Sequence, residues 1–288
     1  MWNDEQNGGD SLPPMATLVC FHAHPDDECI QTGGTMARAA ADGHRVVLVV
    51  ATRGEHGEVV PDVLDDGEAL WQRRIAETFD AARILGAQRV EFLGYVDSGM
   101  VGEPQNDAPY SFWSADVEAA ARRLAAILEE ESADVLTAYD HHGGYGHPDH
   151  IQVHRVGLRA AEIAGTPVVL QATMNRDQML AGIAEARAAA EAAREVGDEV
   201  ATPVDEPDFE PPEDFGEPES NITHAIDVSS ELAAKRSAMA AHASQIAPDS
   251  WFLKLDDERF GQAFGREWFV QVGAPRAPGA PFLESIWT

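Results

Sequence analysis

Two short polar clusters hold the residues of this chain that are best suited to chemistry. The first is the run HPDDE at positions 24–28, which directly follows an apolar stretch at 17–21. The second is HPDH at positions 147–150, where two imidazoles flank a carboxylate. Neutral imidazoles and carboxylates are typical ligands of hydrolytic divalent-metal sites, and a spare carboxylate can move a proton. The two clusters therefore predict a hydrolase that uses a metal to make hydroxide from water.

Structural roles compete with this interpretation at some positions. Asp26 or Asp27 could cap a helix, but a cap explains one acidic residue rather than a histidine with three acids. His154 lies at i+7 from His147 on a helix expected to begin near Pro148, and we interpret it as a packed or exposed helix histidine rather than a ligand. Cys29 is interpreted as a small buried residue rather than a ligand.

The elements that must position the clusters form an alternating pattern. Apolar strands alternate with Ala-rich helices, which predicts an α/β fold: a Rossmann-like, mostly parallel sheet with helices on both faces and a smaller C-terminal α+β portion. The clusters follow the first and fourth strands, so both are expected at the carboxyl edge of the sheet. The predicted strands are 17–21, 45–51, 89–93, 134–138, 167–172 and 222–228, and the predicted helices are 33–42, 67–85, 115–131, 148–164, 176–196 and 230–242.

The chain is expected to form a single domain over residues 15–288. The polar residues 1–14 are predicted to be disordered, and the acidic, Pro-rich segment 197–220 is predicted to be an exposed, mobile loop within the domain. The segment 251–272 is rich in aromatic residues and is expected to be ordered.

Charge and hydropathy exclude several classes of partner. The net charge of the 288 residues is −30, which argues against binding to nucleic acid or to an anionic membrane surface. No apolar run approaches the roughly 18 residues of a membrane span, and the polar N-terminus does not resemble a signal peptide. These features predict a cytoplasmic protein with a small-molecule substrate, and they select no oligomeric state.

The motifs resemble those of the LmbE-like (PIG-L) family of zinc-dependent N-deacetylases. The resemblance rests on AHPDDE at 23–28, GGT at 33–35 and YGHPDH at 145–150. It spans about residues 15–173 and continues more weakly over 222–272. The family includes the N-acetylglucosaminyl-inositol deacetylase of mycothiol biosynthesis, whose motifs are the most similar, and the mycothiol S-conjugate amidase.

This resemblance implies a metal site and a set of catalytic groups. The implied metal is Zn²⁺, with Fe²⁺ as the alternative. The implied residues are His24, Asp27 and His150 as metal ligands, Asp26 as general base, His147 as the group assisting the oxyanion or the leaving amine, Tyr145 as a hydrogen-bond donor to the oxyanion, and Asp149 as the carboxylate that orients His147.

The resemblance also implies residues that bind sugar hydroxyls. These are Glu58, Arg74 and Asp97. Their alternative, purely structural interpretations are a surface loop carboxylate, a helix-surface arginine and a turn aspartate, respectively. Two regions depart from the family pattern, since the stretch between Glu58 and Arg74 is shorter and the segment 197–220 matches no motif. Both departures concern the substrate rather than the chemistry.

The predicted reaction is removal of the acetyl group from an N-acetylglucosamine moiety, with N-acetylglucosaminyl-inositol as the first candidate. The alternatives are a mycothiol S-conjugate amidase or a deacetylase of another N-acetyl sugar. The run Cys29-Ile30-Gln31 lacks the lysine expected in the amidase. From other classes, a catalytically silent carbohydrate- or metal-binding module stays open, while a nucleotide-binding protein is disfavoured because no G-x-G-x-x-G follows the first strand.

Overall fold

A seven-stranded sheet forms the centre of the molecule in the computed structural model, which describes residues 15–195 and 215–287. The strand order is β3-β2-β1-β4-β5-β7-β6. β1 to β5 pair in parallel, whereas β7 pairs antiparallel with both β5 and β6. The strands are β1 Thr17–His22, β2 Arg45–Val50, β3 Arg89–Phe92, β4 Val135–Tyr139, β5 Val168–Thr173, β6 His224–Asp227 and β7 Arg266–Gln271.

Burial of both faces explains why the central strands are apolar throughout. Every residue of β1 and β4 is buried, and β2 is buried except at Arg45. A parallel sheet is covered on both faces by its crossover helices, so an alternating polar face is not required. The predicted mostly parallel α/β sheet is confirmed.

Helices flank this sheet in two packed groups. α4 packs against α6, and α8 packs against α2 and α3. Local signals fix several ends: the Asp116 carboxylate accepts from the backbone of Ala119 at the start of α4, and Gly165 ends α6 with a left-handed φ of 70°. The helices are α1 Asp27–Gln31, α2 Gly33–Ala41, α3 Leu70–Ile84, α4 Val117–Glu131, α5 Gly143–Gly146, α6 Pro148–Ala164, α7 Arg176–Glu195, α8 Leu232–Ala241, α9 Trp251–Lys254 and α10 Asp257–Phe264.

Two of the sequence expectations fall partly or wholly beyond the described chain. The predicted disordered segment 1–14 and most of the predicted acidic loop, residues 197–214, lie outside the described residues. The end of that loop is described: residues 215–217 are buried, so the prediction of an exposed loop is wrong there, whereas Glu219 and Ser220 are exposed as predicted. Phe215 is 2% exposed, and the backbone N–H of Gly216 donates to the carbonyl of Gly144 at 2.9 Å, because the segment packs beside α5.

No helix within residues 15–195 and 215–287 combines the length and the apolar character that crossing a bilayer would need.

Candidate metal-dependent active site

The two polar clusters meet at the carboxyl edge of the sheet, as the topology predicts. The first lies between the end of β1 and α1, and the second lies between β4 and α6, where His147 caps the helix and Pro148 takes its first position. The His24 ring centre is 4.7 Å from that of His147 and 5.3 Å from that of His150. Residues more than a hundred positions apart therefore share one pocket.

Three side chains in this pocket are arranged as a ligand set. The Asp27 Oδ2 atom is 3.4 Å from His24 Nδ1 and 3.3 Å from His150 Nε2. All three residues are buried. The ring atom His150 Nδ1 lies 3.1 Å from the Gly143 carbonyl, to which it can donate, and this leaves a lone pair on Nε2. That Nε2 atom is buried without a hydrogen-bond partner among the described residues, which fits a metal ligand.

Further donors surround the same point. Ligand atoms of His24, His147 and His150 lie within 4.8 Å of one another, and so do those of His24, Asp97 and Asp149. Although burial opposes it, the neighbouring carboxylates of Asp97 and Asp149 raise the pKa of His24 well above its usual range. The pocket thus favours positive charge at its centre, and its buried His/Asp cluster is able to bind a divalent metal.

Asp26 stands beside this cluster in an unusual backbone conformation. Its φ is 98°, in a region that L-residues seldom adopt. Its Oδ2 atom is 3.2 Å from Arg74 Nη2, and its backbone N–H donates to Glu28 Oε2 at 2.9 Å. Burial raises the pKa of Asp26 to about 6, against the effect of the Arg74 cation. A carboxylate held this way is suited to accept a proton near neutral pH.

The carboxylate of Glu28 is itself fixed by a residue from the C-terminal half of the chain. His242, which follows α8, places Nε2 at 2.6 Å from Glu28 Oε1, and both side chains are fully buried. Despite burial, His242 lowers the pKa of Glu28. Glu28 therefore links His242 to the backbone of Asp26.

His147 and Asp149 differ from the expected arrangement. The backbone N–H of Asp149 donates to His147 Nδ1 at 3.1 Å, whereas the Asp149 carboxylate lies 3.1 Å from His24 Nε2 and accepts from the Ser98 N–H at 2.9 Å and from the Ser98 hydroxyl. The expectation that the Asp149 carboxylate orients His147 is thus wrong, because the backbone N–H of Asp149, at the start of α6, makes the hydrogen bond to the His147 ring instead. A Nδ1 that accepts leaves the proton of neutral His147 on Nε2. Burial lowers the pKa of His147 to about 4.

Tyr145 lies at the mouth of the pocket. It is 40% exposed, and its ring centre is 5.0 Å from that of His150. It follows two glycines with positive φ, Gly143 and Gly144, in the short α5 turn. A phenol at this position can reach a molecule that enters from solvent.

The three residues expected to bind sugar hydroxyls occupy different environments. Asp97 is buried with Oδ1 at 3.5 Å from His24 Nε2, so it belongs to the metal pocket. Arg74 is 3% exposed and donates to the carbonyls of Pro25, at 2.5 Å, and Gly54, at 2.9 Å. Glu58 is exposed on the loop after β2. The substrate role of all three stays a prediction.

Two residues that support the site are not among the candidates predicted from the sequence. His242 carries no spacing pattern, and Ser98 lies in the segment Asp97-Ser98-Gly99-Met100, of which only Asp97 was a candidate. His154 lies outside the pocket with Nδ1 at 3.1 Å from the Tyr139 carbonyl, which confirms its interpretation as a packed helix histidine. Cys29 is buried, and its thiol donates to the Asp26 carbonyl at 2.9 Å.

Known proteins are similar to this chain in sequence or in fold. Residues 19–161 match the GlcNAc-PI de-N-acetylase family. A protein of Thermomonospora curvata is 40% identical over 91% of this chain and 92% of its own length, and one of Streptomyces griseus is 43% identical over 92% and 86%. Both are named 1D-myo-inositol 2-acetamido-2-deoxy-alpha-D-glucopyranoside deacetylase. The N,N'-diacetylchitobiose deacetylase of Pyrococcus horikoshii shares the fold, with a TM-score of 0.57 at 19% identity over 90% of this chain and 84% of that one.

Proposed function

The chain belongs to the GlcNAc-PI de-N-acetylase (PIG-L) family of deacetylases, and from this premise we propose that it hydrolyses the acetamide of N-acetylglucosaminyl-inositol. One observation carries the proposal: the unpartnered Nε2 of buried His150 faces Asp27 in the pocket that Asp26 borders. This arrangement supports a metal ligand beside a base, as amide hydrolysis by an activated water requires. The relatives that bear this substrate in their names cover nearly the whole chain.

We propose Zn²⁺ as the metal, held by His24, Asp27 and His150. Two imidazoles and one carboxylate are a ligand set of the kind that catalytic zinc sites use. When bound, the zinc ion supplies Lewis acidity that lowers the pKa of water towards ~7 and polarises the acetamide carbonyl.

The side chains beside this ligand set accept and deliver the protons of the reaction. Asp26 accepts the proton of the attacking water, and its carboxylate is kept in place by Arg74 Nη2. The proton then passes to the glucosamine nitrogen as the carbon–nitrogen bond breaks, so that acetate and a free amine leave.

Two further groups face the oxygen that gains charge. His147 presents an Nε2–H because its Nδ1 accepts from the Asp149 amide, and this N–H can donate to the developing oxyanion. The hydroxyl of Tyr145 can donate from the pocket mouth. We propose that exposed Glu58 contacts the sugar directly. Buried Arg74 and Asp97 are proposed to shape the wall of the pocket that receives it.

We further propose that residues 15–288 act as one catalytic domain in the cytoplasm. The contact between Glu28 and His242 supports a single domain, because it joins the first motif to the C-terminal half. Two free, buried thiols, Cys20 and Cys29, suit a reducing compartment.

Acetate release from a panel of N-acetyl sugars and mycothiol conjugates tests the proposal. We expect turnover of N-acetylglucosaminyl-inositol that a chelator abolishes and Zn²⁺ restores. Activity that is indifferent to the chelator would contradict the metal mechanism, and cleavage confined to the conjugates would identify an amidase instead.

Replacement of the proposed base is the second test. We expect Asp26→Asn to keep its zinc content but to lose roughly 10²–10⁴-fold in kcat, the usual contribution of general-base catalysis. The matched control is Asp80→Asn, which removes an exposed carboxylate on α3 that pairs only with Arg83 among the described residues. Near-normal turnover of Asp26→Asn would refute the assignment.

A further inference from the structure

A second group of metal-type side chains lies outside the pocket described above. Ligand atoms of His141, His142 and Glu217 all lie within 4.8 Å of one another. The two histidines follow β4 on the loop that leads to α5, and Glu217 lies in the segment that precedes β6. None of the three belongs to the proposed ligand set, and the reaction as derived does not use them.

The donor geometry is close to that of a tetrahedral cation site. His141 Nδ1 is 3.1 Å from Glu217 Oε1, and zinc bonds of about 2.0–2.1 Å to nitrogen and oxygen place neighbouring tetrahedral ligands roughly 3.3 Å apart. The rings of His141 and His142 are tilted by 42° to each other with centres 3.7 Å apart, so a small rotation brings both imidazoles to one ion. Two imidazoles and a carboxylate form a donor set that selects Zn²⁺ over Mg²⁺.

The carboxylate of this group is already held in one orientation. Glu217 is 7% exposed, and its second oxygen accepts from Asn221 Nδ2 at 2.8 Å. Outer hydrogen bonds of this kind keep a metal ligand in place. His141, in contrast, has a side chain that is 60% exposed, which leaves a path for a cation and its waters.

The backbone carrying the three ligands is fixed independently of any ion. The N–H of Glu217 donates to the Met174 carbonyl at 3.0 Å, and the N–H groups of His142 and Gly144 donate to Asp140 Oδ1 at 3.0 and 2.9 Å. The ligands therefore need little rearrangement on binding. An ordinary ion pair between His141 and Glu217 would explain why these two side chains are close together. It would not explain why the His142 imidazole lies within reach of the same point.

We propose that His141, His142 and Glu217 form a second, weaker Zn²⁺ site at the rim of the pocket. An ion bound there bridges the loop before α5 to the segment before β6. This loop leads directly into Gly143, the first residue of α5, whose carbonyl faces His150. The site is independent of the deacetylation reaction, so its existence is tested by binding alone.

Zinc titration of the full-length protein decides the matter. We expect wild-type protein to bind two equivalents of Zn²⁺, measured by calorimetry with ZnCl₂ and by metal analysis after buffer exchange. The double variant His141→Asn/His142→Asn and the single variant Glu217→Gln are each expected to bind one tight equivalent, with the affinity of the second reduced at least about tenfold, because even loss of an outer partner costs that much. MgCl₂ is expected to give no second equivalent.

Matched controls separate this result from unspecific binding and from misfolding. His56→Asn removes an exposed histidine from another loop and should keep two equivalents. Thermal melts establish that each variant is folded, and the histidine variant serves if Glu217→Gln does not fold. A single equivalent in the wild type, two equivalents in the histidine variant, or loss of the second equivalent in His56→Asn would each overturn the proposal.

Discussion

Asp26 owes its position to neighbours rather than to its own backbone preference. A non-glycine residue at a φ of 98° carries a strain of roughly 1–3 kcal/mol. Contacts offset this strain on each side of the residue: Glu28 accepts from its N–H, the backbone and thiol of Cys29 donate to its carbonyl, and Arg74 holds its carboxylate. The position of the proposed base therefore depends on the contacts that surrounding residues make with it.

Removal of the buried partner of Glu28 is expected to misplace Asp26. We predict that His242→Asn lowers kcat about 10–100-fold, because an asparagine is too short to reach Glu28 and a shift near 1 Å of a catalytic group can cost that much. His242→Gln, whose amide nitrogen can take the place of Nε2, is predicted to recover most of the loss. Steady-state kinetics and zinc content measure both effects, with KM and metal content expected to change little.

His154→Asn is the matched control for this pair, because it removes a half-buried helix histidine that does not touch Glu28. Equal kcat values for the Asn and Gln variants, with equal melting temperatures, would show that His242 does not position the base.

The residues found by sequence reasoning are those that lie in a local motif. His24, Asp27 and His150 lie in the runs HPDDE and HPDH, and their proposed role as ligands is what the resemblance carried by these motifs implies. His242 and Ser98 act through contacts with residues far away in the chain, and a single sequence contains no pattern that pairs them. The error at Asp149 has the same origin, since its type is informative but the direction of its carboxylate depends on Ser98.

Among the elements, β2, β3 and α4 are joined by a cluster of charges at one end of the sheet. Glu131, the last residue of α4, accepts from Arg45 and, at 2.7 Å, from Arg89. Arg45 begins β2 and Arg89 begins β3. These two guanidinium groups lower the pKa of Glu131 to about 2 from an ordinary value of 4.5.

Neutralising this carboxylate should destabilise the fold in a pH-dependent manner. We expect Glu131→Gln to lower the free energy of unfolding by about 1.5–3 kcal/mol at pH 7, the range for a hydrogen bond to a charged group. Because the pKa is lowered in the folded state, the stabilisation is complete above pH 4.5 and is lost as the pH falls towards 2. Urea unfolding at several pH values measures the difference between variant and wild type, which should shrink in acid.

Glu118→Gln serves for comparison, because Glu118 pairs with Arg122 and Arg159 on an exposed helix surface. Such surface pairs contribute little, so its effect should stay below about 1 kcal/mol. A Glu131→Gln effect that is no larger, or that does not change with pH, would contradict the role assigned to the cluster.

Strands and helices were predictable to within a few residues wherever burial or caps leave a local pattern. Neither the strand β7 nor its position between β5 and β6 was predicted, because the segment 251–272 was expected only to be ordered and its residues do not show which strands it pairs with. Glu267 on β7 illustrates the point: its carboxylate accepts from the N–H groups of Gly34 and Thr35 at 2.8 Å and pairs with buried Lys235. These partners come from two distant parts of the chain, α2 and α8.

At the scale of the whole molecule, the large net negative charge is the dominant property. The chain has fifty acidic residues but only twenty Lys and Arg residues, so the charges of the folded state repel one another considerably. Salt screens this repulsion, with a Debye length that falls from about 10 Å at 0.1 M to about 3 Å at 1 M.

We predict that the melting temperature rises by several degrees between low salt and 1 M NaCl. A gain of about 1–2 kcal/mol from screening would produce a shift of this size in a chain of this length. Thermal melts with zinc held at a saturating concentration keep metal binding constant across the series. A melting temperature that is unchanged or falls would show that local ion pairs outweigh the net charge.

The contact between Glu28 and His242 also has a consequence for synthesis on the ribosome. Every residue proposed to hold the metal has been made once His150 emerges, but the partner that fixes Glu28 follows about ninety residues later. At 5–20 residues per second this interval lasts roughly 5–20 s. The nascent chain can therefore capture its metal before its base is aligned, so that reactivity is acquired only when translation of the C-terminal half is nearly finished.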